Sequence, residues 1–341
     1  MTFKVVLTSR VLSRRDIEDF LPLLGPGGEV MTIPANTEDE LIAAAQDADA
    51  VITLMQPYTR RVIAQLAKCR LIFNAGTGYE GIDIKAATEQ GICVASPADY
   101  CMDEVAEHAV ALLLASARKI TRLDRAVRAG KWDAFEKREI RNKILPPVFQ
   151  LKGKTVGLIG LGRIGRNVAP KVKGFGMKVI AYDPYLPPEV FRQVDVTPVT
   201  LDELLEKSDF VSIQAAFTEG SEHLIGREQL RKMKPTAYLI NVGRGTFVDE
   251  AALAEALAEG VIAGAGLDVV TAEPEGISPD NPLLQQENVI ITAHSAYYSE
   301  ESTAKYKQRI YDAAVKVSRG GLPEFLLNPD VKEKYAQKWR A

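Results

Sequence analysis

Val156-Gly-Leu-Ile-Gly160-Leu-Gly162-Arg163-Ile164-Gly165 is an apolar run that breaks into a GxGxxG turn and then into a helical pattern, Arg163 to Lys173. Glycine triplets also arise by chance, so the strand before this one and the helix after it carry the reading. Eighteen residues beyond Gly165, a second apolar strand, Val179-Ile-Ala-Tyr182, ends at Asp183. Each part has a physical task. Gly160 permits the tight turn, Gly162 lets the backbone approach a pyrophosphate, and Gly165 lets helix and strand pack closely. The helix N-terminus offers N–H groups to phosphate. Asp183 suits both ribose hydroxyls and repels a 2′-phosphate, and neither Pro184 nor Tyr185 supplies a cation to hold one. The stretch predicts a dinucleotide site for NAD rather than NADP.

The pattern continues outward from this turn. Thr155–Ile159, Lys178–Tyr182, Phe210–Ile213, Ala237–Asn241, Gly264–Val269 and Val289–Thr292 read as six strands with helices between them. That alternation predicts a doubly wound parallel sheet. Upstream, strands at Lys4–Thr8, Ala50–Leu54, Leu71–Asn74 and Ile92–Ala95 alternate with helices at Asp39–Ala48 and Arg61–Ala67, a smaller open α/β unit. A long helix is expected from Asp103, as N-cap, to Ile120. Arg118–Lys143 holds ten Lys/Arg and four Asp/Glu. The interspersed acids favour an exposed helix or subunit-packing arm over a nucleic-acid arm. Leu145-Pro-Pro marks a connection, and Glu301–Val317 is helical again.

Composition narrows the classes. The 341 residues are 46% apolar and 26% charged, with a net charge of −3, which fits a globular chain of about two domains. Nothing in that balance selects nucleic acid or an anionic membrane as partner. Cys69, Cys93 and Cys101 form no CxxC pair and leave an odd count, so they read as reduced cytoplasmic thiols. The N-terminal apolar run is too short for export and reads as a first strand. The longest apolar helical stretch, Ala109 to Ala117, falls far short of the roughly 20 residues a bilayer span needs. A membrane protein, a disulfide scaffold and a zinc ribbon are excluded, and no metal site is expected.

Only three histidines are present, so the search for an acid/base is short. His108 lies within the long helix and His223 in a polar stretch; both favour structural roles. His294 directly follows the strand Val289–Thr292, and open parallel sheets bind ligands at the carboxyl ends of their strands. Arg244 follows another strand end, in Gly243-Arg-Gly245, and Glu273 lies just beyond a third, Gly266-Leu-Asp-Val-Val270. Tyr297, with Tyr58, Tyr100 and Trp132, is a candidate to shape a substrate pocket.

These stretches resemble the D-2-hydroxyacid dehydrogenases over nearly the whole chain. The matching segments are Asn74-Ala-Gly-Thr-Gly-Tyr-Glu-Gly-Ile-Asp83, Val105-Ala-Glu107, the glycine turn through Tyr182-Asp-Pro184, and Asn241-Val-Gly-Arg-Gly245. Gly266-Leu-Asp-Val269, Glu273-Pro274 and Thr292-Ala-His-Ser-Ala296 follow. His294-Ser-Ala-Tyr-Tyr-Ser-Glu300 is similar to the branch containing the C-terminal-binding corepressor proteins.

The resemblance implies a Rossmann nucleotide domain, 101–295, inserted into a smaller flavodoxin-like α/β substrate domain, 1–100 plus 296–341. It also implies a homodimer joined through an arm at 118–150, and transfer of a hydride between NAD(H) and a small D-2-hydroxyacid or 2-ketoacid. By the same resemblance Arg244 grips carboxylate and carbonyl, His294 is the acid/base and Glu273 its partner. Arg163, Ile164, Ala215, Val242, Asp268 and Thr77 contact the cofactor, Asp268 through the nicotinamide carboxamide. Gly76, Thr77 and Gly78 offer backbone N–H groups to the substrate carboxylate, beside Tyr297. Two departures stand out. Gln214-Ala-Ala216 replaces the His-x-Pro of many members, and Asn74 stands where phosphoglycerate-specific members usually have Arg. The alternatives are an NAD(H)-sensing corepressor-like scaffold with little turnover, or a phosphite-type dehydrogenase. Formate-specific relatives usually have Gln at the position of Glu273.

Overall fold

Alternate residues of the first strands point to opposite sides, and both sides are buried. In the computed structural model, which describes residues 2–132, 140–217, 220–273 and 276–339, the chain divides into two compact units. One comprises Met1–Tyr100 with Ser299–Ala341, and the other Cys101–Tyr298.

The first unit holds five parallel strands, β1 (Phe3–Leu7), β2 (Gly28–Thr32), β3 (Ala50–Thr53), β4 (Leu71–Asn74) and β5 (Cys93–Ala95), in the order 2-1-3-4-5. Val5, Leu7, Ile52, Leu71 and Phe73 enter one core, while Val6, Val51, Ile72 and Val94 enter the other. Burial on both faces is why these strands read as near-continuous apolar runs. The edge strand β2 differs, because Glu29, Met31 and Thr32 are exposed, and its pattern carries too little apolar signal to be read from sequence. The helix Glu300–Ser318 completes this unit. Ile310, Ala314 and Val317 join its core, and Tyr311 stacks on Phe20 with centroids 4.6 Å apart.

The second unit contains β6 (Thr155–Ile159), β7 (Lys178–Tyr182), β8 (Thr197–Pro198), β9 (Phe210–Ile213), β10 (Tyr238–Asn241), β11 (Gly264–Leu267) and β12 (Val289–Ile291). They pair in parallel in the order 12-11-10-9-6-7-8. This is a doubly wound sheet with a topological switch between β6 and β9. Sequence periodicity yields six of these strands. The seventh, β8, is a two-residue edge strand containing Pro198, too short to show a period.

The long helix is shorter than its sequence pattern predicts, running from Met102 to Ala117. Cys101, not Asp103, occupies the N-cap; Asp103 sits in the first turn, 3.2 Å from the Lys171 ammonium. Lys119 stops the run by taking a left-handed conformation, φ 53°. Its ammonium donates to the carbonyls of Ile144 and Pro146 at 2.9 and 3.1 Å, which pins the break, and a second helix starts at Ile120. Residues 133–139, including Phe135 of the expected arm, lie outside the described residues.

Candidate active site

Two parts of one sheet edge make up the site. At the end of β6, Gly160 turns with φ +92°, and a Cβ there would lie 2.8 Å from the Ala215 backbone. A Cβ on Gly165 would collide with the Gly160 carbonyl oxygen, so helix and turn meet in backbone contact. Gly162 is different. Its Cβ would meet nothing within 4 Å, and as N-cap of the helix Arg163–Lys173 it contributes no side-chain cap. The space beside the start of this helix is therefore open, as an anion bound at a helix N-terminus needs. Asp183, at the end of β7, accepts from Leu161 N at 2.9 Å and from Tyr185 N at 3.1 Å, so the acid is tied to the glycine turn. From Asp183 a cleft of about 500 Å³ runs between Tyr182, Leu186, Phe191 and Val199.

The second part lies at the ends of β10, β11 and β12. Asn241 shapes the first of these turns: its Oδ1 accepts from Gly243 N at 3.0 Å and its Nδ2 donates to Arg244 O at 2.8 Å. A Cβ on Gly245 would strike the Val270 backbone, so this turn lies directly on the exit of β11. Arg244 Nη1 donates to Gly243 O at 2.9 Å. Past β11, Glu273 accepts from Val270 N through Oε1 at 3.3 Å, and its Oε2 lies 2.8 Å from His294 Nδ1. Set against that carboxylate, Nδ1 carries a proton, and Nε2 is left to exchange one with a reactant.

His294 sits at φ +47°, a conformation rare for a residue with a side chain. Its amide donates to Asp268 O at 2.8 Å. Asp268 itself is 1% exposed; Oδ1 accepts from Thr292 Oγ1 at 2.5 Å and Ser295 N at 3.0 Å, and Oδ2 from Ala296 N at 2.9 Å. A buried carboxylate thus clamps the turn that presents the imidazole. The Glu273 hydrogen bond raises the His294 pKa above the usual imidazole value, and the charges of Glu273 and Asp268 act in the same sense. Burial and the positive charge of Arg244 oppose them.

The structure brings Arg244, Glu273 and His294 together, as their strand-end positions predict. Tyr297 joins them, its ring 6.4 Å from that of His294 and edge-on to it. Val242 is 8% exposed at the end of β10, and Ala215 packs on Gly160. Tyr58 does not belong with this group. It is fully buried in the core of the first unit, its hydroxyl 3.1 Å from Thr8 Oγ1. Trp132 is 79% exposed. His223 takes φ +50° and bonds through its amide to Thr246 O, a structural role.

Three residues do work that the sequence reading did not assign them. Asn74 is 2% exposed, and its Nδ2 donates to Gly76 O and Gly78 O, each at 2.7 Å, which sets the loop after β4. Thr292 bonds Asp268, and His108 bonds Thr292. A signal for His108 was available: it shares a helical stripe with Val105, Ala109 and Leu112, all buried. A polar residue in such a stripe needs a partner.

A parallel sheet whose carboxyl edge holds both a dinucleotide turn and a carboxylate-paired imidazole defines a dinucleotide-dependent oxidoreductase. A family model described as "D-isomer specific 2-hydroxyacid dehydrogenase, NAD binding domain" matches residues 110–296. The chain is 40% identical over 292 residues to a glyoxylate reductase of Korarchaeum cryptofilum, covering 85% of this chain and 86% of that one. It is 39% identical over 313 residues to a D-3-phosphoglycerate dehydrogenase of Methanocaldococcus jannaschii, covering 91% of this chain but 57% of the relative. Among solved structures, a D-lactate dehydrogenase from Aquifex aeolicus complexed with NAD and lactic acid aligns with a TM-score of 0.80 at 27% identity, over 95% of this chain and 99% of that one. This chain belongs to the NAD-dependent D-isomer specific 2-hydroxyacid dehydrogenases.

Its residues fit NAD. Open space at Gly162, an uncapped helix start and the cleft at Asp183 suit a dinucleotide. Gln214 adds an independent sign, because its Oε1 is buried beside the turn with no hydrogen-bond donor among the described residues. No helix among those residues is long and apolar enough to cross a membrane, and no group of three or more candidate ligands could hold a metal ion.

Proposed function

We propose that this enzyme interconverts a small 2-ketoacid and the corresponding D-2-hydroxyacid, with His294 as acid/base, Glu273 as its partner and Arg244 on the carboxylate and carbonyl. The observation that carries this reading is the 2.8 Å bond between His294 Nδ1 and Glu273 at the carboxyl edge of a dinucleotide sheet. NAD, when bound, supplies the hydride acceptor, and its reduced form the donor. In oxidation, neutral His294 takes the hydroxyl proton through Nε2; in reduction, the imidazolium returns it to the developing alkoxide. Glu273 fixes the tautomer and favours the cation. Arg244 offers a planar fork matched to a carboxylate oxygen and a growing oxyanion.

The remaining roles follow the same reading. Gly160, Gly162, Arg163, Ile164 and Gly165 cradle the pyrophosphate, and Asp183 takes the ribose hydroxyls. Ala215, Val242 and Thr77 would line the cofactor, and Asp268 would accept a hydrogen bond from the nicotinamide carboxamide. Gly76, Thr77 and Gly78 carry the substrate-carboxylate role, and Tyr297 borders the substrate. Relatives of similar identity are named glyoxylate reductase and D-3-phosphoglycerate dehydrogenase. Asn74 supports a small ketoacid over a phosphorylated one, since its amide is spent on the loop after β4. The active form is a homodimer through 118–150, and three buried free cysteines suit a reducing cytoplasm.

A panel of 2-ketoacids graded by chain length, from glyoxylate upward, tests the reading with NADH oxidation as the readout. Arg244→Lys keeps the charge but loses the fork. Loss of a transition-state contact of this kind lowers kcat about 10²–10³-fold, whereas a surface ion pair is worth about 0–1 kcal/mol. NADH binding, read by fluorescence titration, stays near normal because the glycine turn and Asp183 hold the cofactor. Retention of more than about a third of turnover by Arg244→Lys overturns the assignment, and NADH binding without turnover on any ketoacid overturns the activity.

A further inference from the structure

His108 projects from the Met102–Ala117 helix, which packs against β10, β11 and β12. Its Nε2 lies 2.9 Å from Thr292 Oγ1 and 3.4 Å from Asp268 Oδ1. Counting protons assigns the roles. An ionised carboxylate only accepts, so in the 2.5 Å contact between Thr292 Oγ1 and Asp268 Oδ1 the threonine hydroxyl gives its single proton to Asp268. Thr292 Oγ1 then has only lone pairs to offer His108. The imidazole must therefore donate, with its proton on Nε2.

The acceptors it serves are the ones that hold the catalytic turn. Asp268 takes the amides of Ser295 and Ala296, and the Asp268 carbonyl takes the amide of His294. His294 itself is held at φ +47°, a conformation that a side-chain-bearing residue keeps only when its surroundings impose it. Asp268 is almost wholly buried, so every donor it loses leaves a desolvated carboxylate under-compensated. We propose that His108 is a positioning residue for proton transfer: its Nε2–H donates to the Thr292–Asp268 pair and so holds the turn that aims His294. This inference rests on the reading of His294 as the acid/base. Among the described residues His108 bonds neither Glu273 nor the glycine turn and reaches the cofactor site only through Asp268, so its effect on NADH affinity is small beside its effect on the placement of the imidazole.

The test uses the whole enzyme, with three variants and one direct measurement. His108→Leu removes the donor and lowers kcat for ketoacid reduction by about tenfold or more, since small misplacements of a reacting group cost that much. NADH affinity by fluorescence falls by no more than about threefold, less than kcat does. His108→Gln places an amide N–H near the position of Nε2 and restores kcat to within about threefold of the unmodified enzyme. Thr292→Val removes the bridging hydroxyl and falls like His108→Leu, and the double variant is no worse than the poorer single one, because both cut one chain of bonds. The direct measurement is ¹⁵N NMR of the imidazoles, three in all and assignable by substitution. His108 Nε2 shows the signature of a protonated ring nitrogen between about pH 6 and 8.

The proposal is overturned by a kcat for His108→Leu within about twofold of the unmodified enzyme, by glutamine no better than leucine, or by an unprotonated His108 Nε2. If His108→Leu does not fold, the NMR of the unmodified enzyme and the other two variants decide. His294→Asn separates the two levels of the argument. If it abolishes turnover while His108→Leu does not, only the present inference fails; if it leaves turnover intact, the reading of the whole site fails with it.

Discussion

At the scale of single residues, the pair Glu273 and His294 makes the sharpest claim, because its sign is fixed. The Glu273 hydrogen bond is the largest influence on His294 and raises its pKa. With His294 as the proposed acid, ketoacid reduction needs the imidazolium, so it is present below that pKa and lost as pH rises through it. Hydroxyacid oxidation needs the neutral ring and behaves oppositely. Glu273→Gln removes both the carboxylate bond and its charge, leaving Asp268 to raise the pKa and Arg244 and burial to lower it. The alkaline limb of the reduction profile therefore moves to lower pH, and the acid limb of oxidation moves the same way. Profiles of kcat/KM in both directions check this; a reduction limb that stays in place shows that Glu273 is not the partner. Arg244, Glu273 and His294 were legible as strand-end residues because that placement follows from the sheet alone. Thr292 was not, and the buried stripe of His108 signals only that it needs a partner. Their bond joins residues 184 apart in the chain, and no local pattern encodes which partner that is. Asn74 was quoted for its identity, yet its work, two bonds to carbonyls of its own loop, depends on a backbone course that sequence does not show.

At the scale of elements, the β6–helix turn separates two uses of glycine that the GxGxxG motif lists side by side. A Cβ on Gly165 meets the backbone of Gly160, which cannot swing away as a side-chain end can. A Cβ on Gly162 meets nothing. Gly165→Ala should therefore destabilise the fold by about 1–3 kcal/mol, as overpacking does, and lower Tm by several degrees. Gly162→Ala should leave Tm nearly unchanged and weaken NADH, because its methyl group enters the space a pyrophosphate needs. Thermal melts and NADH titrations of both variants test the contrast, and equal effects on Tm would sink it. The motif and its flanking strands were readable because apolar runs of four or five residues bounded by glycine survive any tertiary context. Elements without that contrast were lost. The exposed edge strand β2 has too few buried positions, and the break at Lys119 depends on an ammonium reaching carbonyls at Ile144 and Pro146.

At the scale of the whole molecule, the sequence showed a helix at 301–317 without showing what it packs on. Its apolar positions match any α/β sheet, and only the structure assigns Ile310, Tyr311 and Val317 to the core of the first unit. The arm poses the complementary question, since it leaves apolar groups uncovered. On the helix Ile120–Arg128, Ile120 is 53% exposed and Val127 41% exposed, and seven residues set them two turns apart on one face. Trp132, 79% exposed, follows just beyond the helix. Fully burying one such aliphatic side chain contributes about 1.5–3 kcal/mol. Each is already about half covered, so two of them on each protomer, repeated by a two-fold axis, contribute about 3–6 kcal/mol, an apolar centre for a symmetric contact that the rest of the arm would extend. The unmodified enzyme is thus expected at twice its chain mass of 37.3 kDa in light scattering at micromolar concentration. Ile120→Asp with Val127→Asp should bring that mass down to one chain, with NADH affinity retained because neither residue lies at the glycine turn or Asp183. Both sites are already exposed, so the substitutions create no cavity, and a lower mass cannot be ascribed to unfolding if far-ultraviolet circular dichroism is unchanged. An unmodified enzyme of single-chain mass, or a doubly substituted one that keeps the double mass, would remove this helix from the dimer contact.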